Sequence, residues 1–461
     1  MDIYELKPFL SELINKMEQR VPYAAALATE NSGERITVST RQQRSEAVDP
    51  SIGVVFTVFN GRYFKEAATN DLSKENLKKT AIALAEESAV DCSETGITIN
   101  PGDPANSDFF VDSKIDNASI KLSEKVAKCI EYKDSLHSMD RRVVSATGHY
   151  SWVRIKELFT NRTRQLFQDI TRSQSIVQIV MAEDSRTARL HEGHCFQGGY
   201  EHIDLNNNIL NEMINDCARI LKSNRLTPGT YDCIFSPEFS GIFAHEAFGH
   251  GTETDMFLKH RARGQEFLGR QVASPLVNMY DSPLLPGQGA SFFFDHEGQA
   301  ASETQIIKDG ILISGLTEMN SAMRLKINRT ANGRRESFDH KVYARMTNTF
   351  FGPGKDNFED MIKDIEFGYL LTRPSNGMED PKGWGIQLEG YIAIEIKSGK
   401  LTDKYYSPVI VTGYVPDLLM SITMVGNDLK ISGLGMCGKG HKEWVKVTDG
   451  GPYLRLKARL G

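Results

Sequence analysis

Six residues, His245-Glu-Ala-Phe-Gly-His250, restrict the local fold more tightly than any other stretch of this chain. Two imidazoles bracket a carboxylate, and the histidines stand five residues apart. At 3.6 residues per turn that spacing puts them about 140° apart around a regular α-helix, so the rings do not share a face. The familiar helical pattern, His-Glu-x-x-His, spaces its histidines four apart on one side. Here both rings reach one point only if the helix ends, widens or bulges between them. Gly249 and Gly251 flank the second histidine and supply the backbone freedom for that.

Two neutral nitrogen donors beside a carboxylate are what a metal-dependent hydrolase requires. His245 and His250 are candidate ligands and Glu246 the candidate general base. A catalytic zinc site has three protein ligands and one open position. Glu253, three residues after His250, Asp255 just beyond it, and Cys437 are all candidates for the third. Cys437 lies in Gly433-Leu-Gly-Met-Cys-Gly-Lys-Gly440, where glycines give the backbone room and Lys439 favours a thiolate. Glu253 and Asp255 are equally candidates for acceptors that fix a histidine tautomer. The plainer alternative is a helix with two histidines and a solvated glutamate, and a cysteine that is a small buried hydrophobe. A rival cluster, His191-Glu-Gly-His194-Cys195, reads as a loop between strands, where neighbouring ligands seldom converge. His202, His260, His296 and His340 have no partner pattern.

Composition narrows the function classes. A chain of 461 residues is long enough for two or three domains. Its net charge of −6, with Lys and Arg scattered, leaves no basic stripe for direct nucleic-acid binding. The N-terminus lacks the basic start and apolar run of a signal peptide, and no segment is apolar enough for a membrane span. Six widely spaced cysteines fit reduced thiols better than a disulfide framework. A cytoplasmic protein is expected.

The pattern predicts an α+β fold. In the N-terminal half, 1–225, a unit of helix, four strands and helix occurs twice, over about 1–98 and 109–225. The first has a helix at 4–20, strands at 22–29, 33–41, 52–59 and 62–68, and a helix at 74–89. Asn31-Ser-Gly33 and Asn60-Gly61 read as turns. The second has a helix at 118–138, strands at 142–160, 163–170, 174–183 and 186–204, and a helix at 207–223. Thr227-Pro-Gly229 marks the boundary to a β-rich C-terminal domain, 226–461, carrying one functional helix after strand 231–235. Its further strands are expected at 291–296, 303–307, 311–315, 387–396, 400–414, 443–448 and 453–458.

His-Glu-Ala-Phe-Gly-His-Gly-Thr-Glu-Thr-Asp, 245–255, resembles the HEAxGHxxExD motif of the TldD branch of the TldD/PmbA family, known as modulators of DNA gyrase and metalloproteases. Gly333-Arg-Arg-Glu-Ser337, Arg345-Met-Thr-Asn-Thr349, Met424-Val-Gly-Asn-Asp428 and the Gly-Met-Cys-Gly-Lys run ending at Lys439 agree in order. The resemblance implies a metal held by His245, His250 and Cys437, with Glu246 catalytic and Glu253 and Asp255 in supporting roles. It implies cleavage of unfolded peptides in the cytoplasm, and a dimer with a second copy or a PmbA-type paralogue. One departure stands out: the family's Cys-Gly-Lys-x-Gly-Gln tail is replaced by Cys437-Gly-Lys-Gly-His441-Lys442, which makes His441 a candidate for substrate contact or for a ligand.

The leading expectation is a metallopeptidase that takes extended peptides as an added strand, with Arg345, Met346, Thr347, Asn348 and Thr349 as candidate lining. Zinc is the expected metal, and iron is compatible with two nitrogens and one sulfur. The alternative is a non-catalytic, metal-binding dimeric regulator whose closed shell is completed by His441, Glu253 or Asp255. Any gyrase connection would be indirect.

Overall fold

The computed structural model describes residues 2–48, 50–90, 98–440 and 443–461. It is α+β, with the long helices in the first half and short strands dominating the second. Among the described residues, no helix is long and apolar enough to cross a membrane.

The first half contains α1 (Lys7–Met17), β1 (Tyr23–Ser39), β2 (Gln43–Ala47), β3 (Ser51–Phe59), β4 (Phe64–Thr69) and α2 (Lys74–Val90). It continues with β5 (Ala105–Phe110), α3 (Leu122–Met139), β6 (Val143–Asn161), β7 (Arg164–Glu183), β8 (Arg186–Gln197) and α4 (Asn207–Lys222). All eight strands form one sheet, ordered β4-β3-β1-β6-β7-β5, with β2 added to β1 and β8 to β7. The two units seen in the sequence are therefore joined, because β1 of the first pairs with β6 of the second from Ala25 to Ser39.

Two expected breaks are absent. The chain runs straight through Asn31-Ser-Gly33 as β1, and strands 163–170 and 174–183 are the single β7. Gly33 is there for close approach: a Cβ would stand 2.1 Å from the Trp152 carbonyl oxygen on β6. Asn60-Gly61 does turn the chain, with Gly61 at φ +91° and Asn60 Oδ1 accepting from the amides of Arg62 and Tyr63, both at 3.0 Å.

Strand alternation assigns the sheet's two faces. Ala24, Ala26, Ala28, Ile36 and Val38 of β1, with Ala146, Tyr150 and Leu158 of β6, pack beneath the helices. The intervening Ala25, Leu27 and Phe159 turn the other way, onto Phe294 and Met319 of the second half. Both faces are apolar because both are covered.

The second half begins with β9 (Gly229–Phe235). It pairs with Phe367–Glu379 and with Leu454–Leu460, and Gly385–Lys397 and Val409–Tyr414 complete the circuit, so five strands close into a ring. A six-stranded sheet that includes Asn348–Phe351 and Thr448–Gly451 packs beside it. The strand at Phe367–Glu379 was not anticipated, whereas the expected strand at 291–296 is irregular chain. Directly after β9 comes α5 (Pro237–Ala244), with Ser236 as its N-cap and Pro237 in its first turn. Phe239, Phe243, Ala247 and Phe248 are fully buried between the ring and the six-stranded sheet. Apart from the exposed Glu238 in its first turn, the helix is apolar or small on every side and therefore internal, and it carries the histidine motif into the middle of the domain.

Candidate metal centre

Past Ala244 the helix changes pitch. His245–Gly249 form a π-turn and His250–Thr252 a 3-10 turn. The His250 amide donates to the His245 carbonyl, five residues back, the bond that widens a helix at this point. The wider turn brings the two imidazoles together, with centroids 5.0 Å apart and planes at 86°. Packing explains why glycine precedes His250. A Cβ on Gly249 would lie 2.2 Å from Sδ of Met346, a fully buried side chain.

Cys437 reaches the pair from a hairpin, Met436–Lys439 with Glu443–Lys446. Its Sγ is 3.3 Å from His250 Nε2. One donor atom each from His245, His250 and Cys437 lie within 4.8 Å of one another, and no other residues form such a group among those described. His245 Nδ1 is buried with no hydrogen-bond partner. Two imidazoles and a sulfur, with a buried nitrogen left unpaired, fit a zinc-like ion by donor chemistry.

Glu253 fixes the geometry of His250. An ionised carboxylate only accepts, so His250 Nδ1 is the donor in its 3.2 Å contact with Glu253 Oε2, which leaves Nε2 facing Cys437. Lys439 donates to Glu253 at 2.9 Å, to Asp255 at 2.6 Å and to the Ala344 carbonyl at 3.1 Å. Arg345 donates to the Cys437 carbonyl at 2.6 Å. The strand bearing the sulfur is thereby tied to the segment bearing the histidines.

Burial alone would discharge these groups, yet their mutual contacts outweigh it. The Cys437 thiolate raises His245, and with Glu253 it raises His250 well above the usual imidazole range. The two histidines in turn hold Cys437 well below the usual thiol range. Lys439 and His250 keep Glu253 below the usual carboxylate range against its burial.

The three donors and Glu246 border a cleft of about 620 Å³ whose opposite wall is Ser375–Glu379. Gly377 lets that wall close on Glu246, since a Cβ there would meet Glu246 Cγ at 2.6 Å. Glu379 has both carboxylate oxygens buried without partners, and burial, reinforced by Glu246, raises its pKa well above normal. Asp449, also on the wall, is pushed by burial to about 6 despite the opposing pull of His245.

Residues 228–459, half of the chain, match the PmbA/TldA metallopeptidase C-terminal domain. A metalloprotease of Methanothermobacter thermautotrophicus is 31% identical over 319 residues, spanning 68% of this chain and 69% of that protein. The chain belongs to the TldD/PmbA metallopeptidase family. A metalloprotease of Methanocaldococcus jannaschii is 29% identical over 440 residues, 93% of this chain and 95% of its own. A zinc metalloprotease TldD homologue of Saccharolobus solfataricus is 27% identical over 374 residues, 77% of this chain and 81% of its own. The TldD/PmbA fold extends over the whole molecule. The solved TldE of Thermococcus kodakarensis aligns with a TM-score of 0.77 at 15% identity, covering 97% of this chain and 98% of that one.

Other sequence candidates fall elsewhere in this TldD/PmbA chain. Arg345–Thr349 do not line the cleft but are buried behind it. Thr347 and Thr349 donate to Asp281 at 2.7 Å, and Asn348 donates to the Ser282 carbonyl at 2.6 Å. His191, His194 and Cys195 lie on β8 rather than on a loop, and His194 contacts the His202 carbonyl at 2.7 Å. Alternation along that strand turns His191 and His194 to opposite faces. His441 lies outside the described residues. Glu379 and Asp449 were not singled out, because neither sits in a recognisable pattern; only tertiary contact brings them to the cleft.

Proposed function

We propose that this chain is a metal-dependent peptidase acting on extended, unfolded peptides with little sequence preference. The observation that carries the reading is the convergence of His245, His250 and Cys437 beside Glu246 in one cleft. These three side chains would hold the ion, zinc in the first instance, with iron compatible with the same donors. Such an ion supplies a Lewis acid for the scissile carbonyl and makes water at the site more acidic. Glu246 takes the proton from the attacking water and returns it to the leaving amine. Glu253 keeps His250 in the tautomer that points Nε2 inward, and Lys439 keeps Glu253 charged.

The substrate class follows from the cleft walls. Phe367–Glu379 pairs with β9 only over Gly368–Leu371, which leaves Pro374–Glu379 with one open edge among the described residues. Met436–Lys439 likewise pairs with Glu443–Lys446 alone. A peptide adding to either edge is held through its main chain, whose hydrogen bonds carry little sequence information. An unfolded chain offers its main chain freely for such pairing, whereas a folded domain exposes only its few sheet edges. The fold shared with TldE supports pairing of this chain with a second copy or with a PmbA-type paralogue, which sedimentation of the protein alone and mixed would separate.

Glu246→Gln is the direct test. The variant is expected to keep its metal by elemental analysis while losing about 10²–10⁴ in turnover of an unstructured peptide. Undiminished turnover by the metal-replete variant would remove Glu246 from the mechanism.

A further inference from the structure

A second cavity, of about 420 Å³, lies between the N-terminal sheet and the second half of the chain, and the metal chemistry makes no use of it. Five lysine and arginine side chains border it: Arg35 of β1, Arg172 of β7, Arg334, Arg335 and Lys446. Arg334, Arg335 and Lys446 are only 5%, 4% and 8% exposed. Arg335 is paired with Glu66 at 2.7 Å and Arg35 with Glu46 at 3.5 Å. Among the described residues the other three have no carboxylate at ion-pair distance. They donate instead to backbone carbonyls, Arg172 to Ser291 at 3.5 Å, Arg334 to Met346 and Lys446 to Gly433. The Nε of Arg172 is buried with no acceptor at all. The three acids in the wall are engaged elsewhere: Glu157 by His296 at 2.9 Å and by Gln168, Asp295 by the amides of Glu297, Gln299 and Gly333, and Glu336 by His340 at 3.8 Å.

Buried cations without counter-charges are expensive, and carbonyl dipoles compensate them only in part. Burial, with Arg172 and Arg345 nearby, pulls Arg334 down to about 9, and burial lowers Lys446 as well. Three such groups converging on one open space constitute a site for an anion, and the guanidinium fork matches a carboxylate.

The position of the cavity indicates where the anion comes from. In the hairpin, Met436 stands opposite Lys446 and Cys437 opposite Val445. Alternation sends Cys437 toward the histidines and turns Met436 and Lys446 to the other side. Met436 nevertheless borders both spaces, so cavity and cleft meet at its half-exposed side chain. With strands ~4.8 Å apart and ~3.3 Å per residue, the Lys446 and Cys437 backbones are within roughly 6 Å. An extended peptide crosses that distance in about two residues.

We infer that this cavity binds a carboxylate of the peptide substrate, either its C-terminal α-carboxylate or an acidic side chain close to the bond being cut. The inference rests on the peptidase reading for the identity of the ligand, but its test does not depend on cleavage. Three fluorescein-labelled unstructured peptides are titrated by anisotropy into the Glu246→Gln protein: one with a free C-terminus, one amidated, and one amidated with glutamate at the last position. One or both carboxylate-bearing peptides should bind about tenfold more tightly than the plain amide, and which of them does so identifies the carboxylate. Arg172→Gln and Lys446→Gln should each bring that ratio close to one. Equal affinity of all three peptides for the protein without cavity substitutions overturns the inference, and that arm needs no further variant to fold. A tenfold ratio that persists in both folded cavity variants overturns it as well. If the ratio behaves as expected but the Glu246-bearing, metal-replete protein leaves every peptide uncut, the cavity assignment stands and the peptidase reading falls.

Discussion

Glu253 is the residue through which the two halves of the centre act on each other. One of its oxygens receives both the His250 imidazole and the Lys439 ammonium, and its other oxygen is 3.7 Å from Arg345 Nε. Replacing it with leucine removes the acceptor and leaves Lys439 with Asp255 and the Ala344 carbonyl. Zinc affinity should fall by about 10–100-fold, the usual effect of deleting a ligand's hydrogen-bond partner, as measured by competition with a chromophoric chelator. Glu253→Gln keeps an acceptor oxygen and should lose less; equal zinc affinity of the leucine and parent proteins would refute this role. A second residue-scale contact bears on pH. Asp140, at the end of α3, accepts from Arg142 through Nε at 3.0 Å and through a terminal nitrogen at 2.7 Å. Those bonds outweigh burial and lower its carboxyl to about 2. A carboxyl depressed from its unfolded value of about 3.9 contributes stability above that value, and the contribution is lost as pH falls through about 2. Asp140→Asn should cost roughly 1–2 kcal/mol at pH 7 and almost nothing near pH 2, a difference that urea melts at the two pH values would resolve.

At the scale of the element, the π-turn at His245–Gly249 decides whether the histidines meet. Gly249→Ala would drive a methyl group into Met346, which is fully buried and has no open side to move to. Overpacking of this kind costs about 1–3 kcal/mol, and because it presses on the turn itself, metal affinity should drop with the melting temperature. A Gly249→Ala protein with unchanged zinc affinity would show that the turn tolerates the displacement. The need for this distortion is legible in sequence, since five residues is the wrong period for a regular helix and the right one for a π-turn bond. The turns at residue 33 and near 171–173 were misread for a different reason. Small and polar residues there look like breaks, whereas Gly33 is small because β6 passes over it. Sequence records that a site is small; it does not record whether a turn or a neighbouring strand requires it.

For the whole molecule, the three candidate ligands come from segments almost two hundred residues apart, so on the metallopeptidase reading ion binding and closure of the second half would be one equilibrium. Metal that binds only the folded state stabilises it by about 2.7 kcal/mol at a hundredfold excess over Kd. The melting temperature should therefore rise with added zinc. Cys437→Ser, which withdraws the ligand supplied by the hairpin, should remove most of that rise while leaving the zinc-free melting temperature nearly unchanged. A full zinc-dependent shift in the serine variant would take Cys437 out of the centre. The N-terminal sheet contributes at this scale too, because the face turned away from its helices forms one wall of the cation-lined cavity and rests on the second half.

Local pattern alone determined the α+β class, the run of helices around β1 to β8, and a histidine pair that demands a deformed helix with a carboxylate between its rings. Period and glycine placement are short-range properties, and a chain displays them without being folded. The choice among Cys437, Glu253 and Asp255 was open to spacing, and it was tertiary structure that set Cys437 beside His250 and committed both acids to Lys439. Burial of Arg345–Thr349, the unpaired edge at Pro374–Glu379 and the convergence of Arg172, Arg334 and Lys446 are likewise beyond the reach of sequence reading. Each depends on which strands pack together, and packing is decided by contacts between residues far apart in the chain.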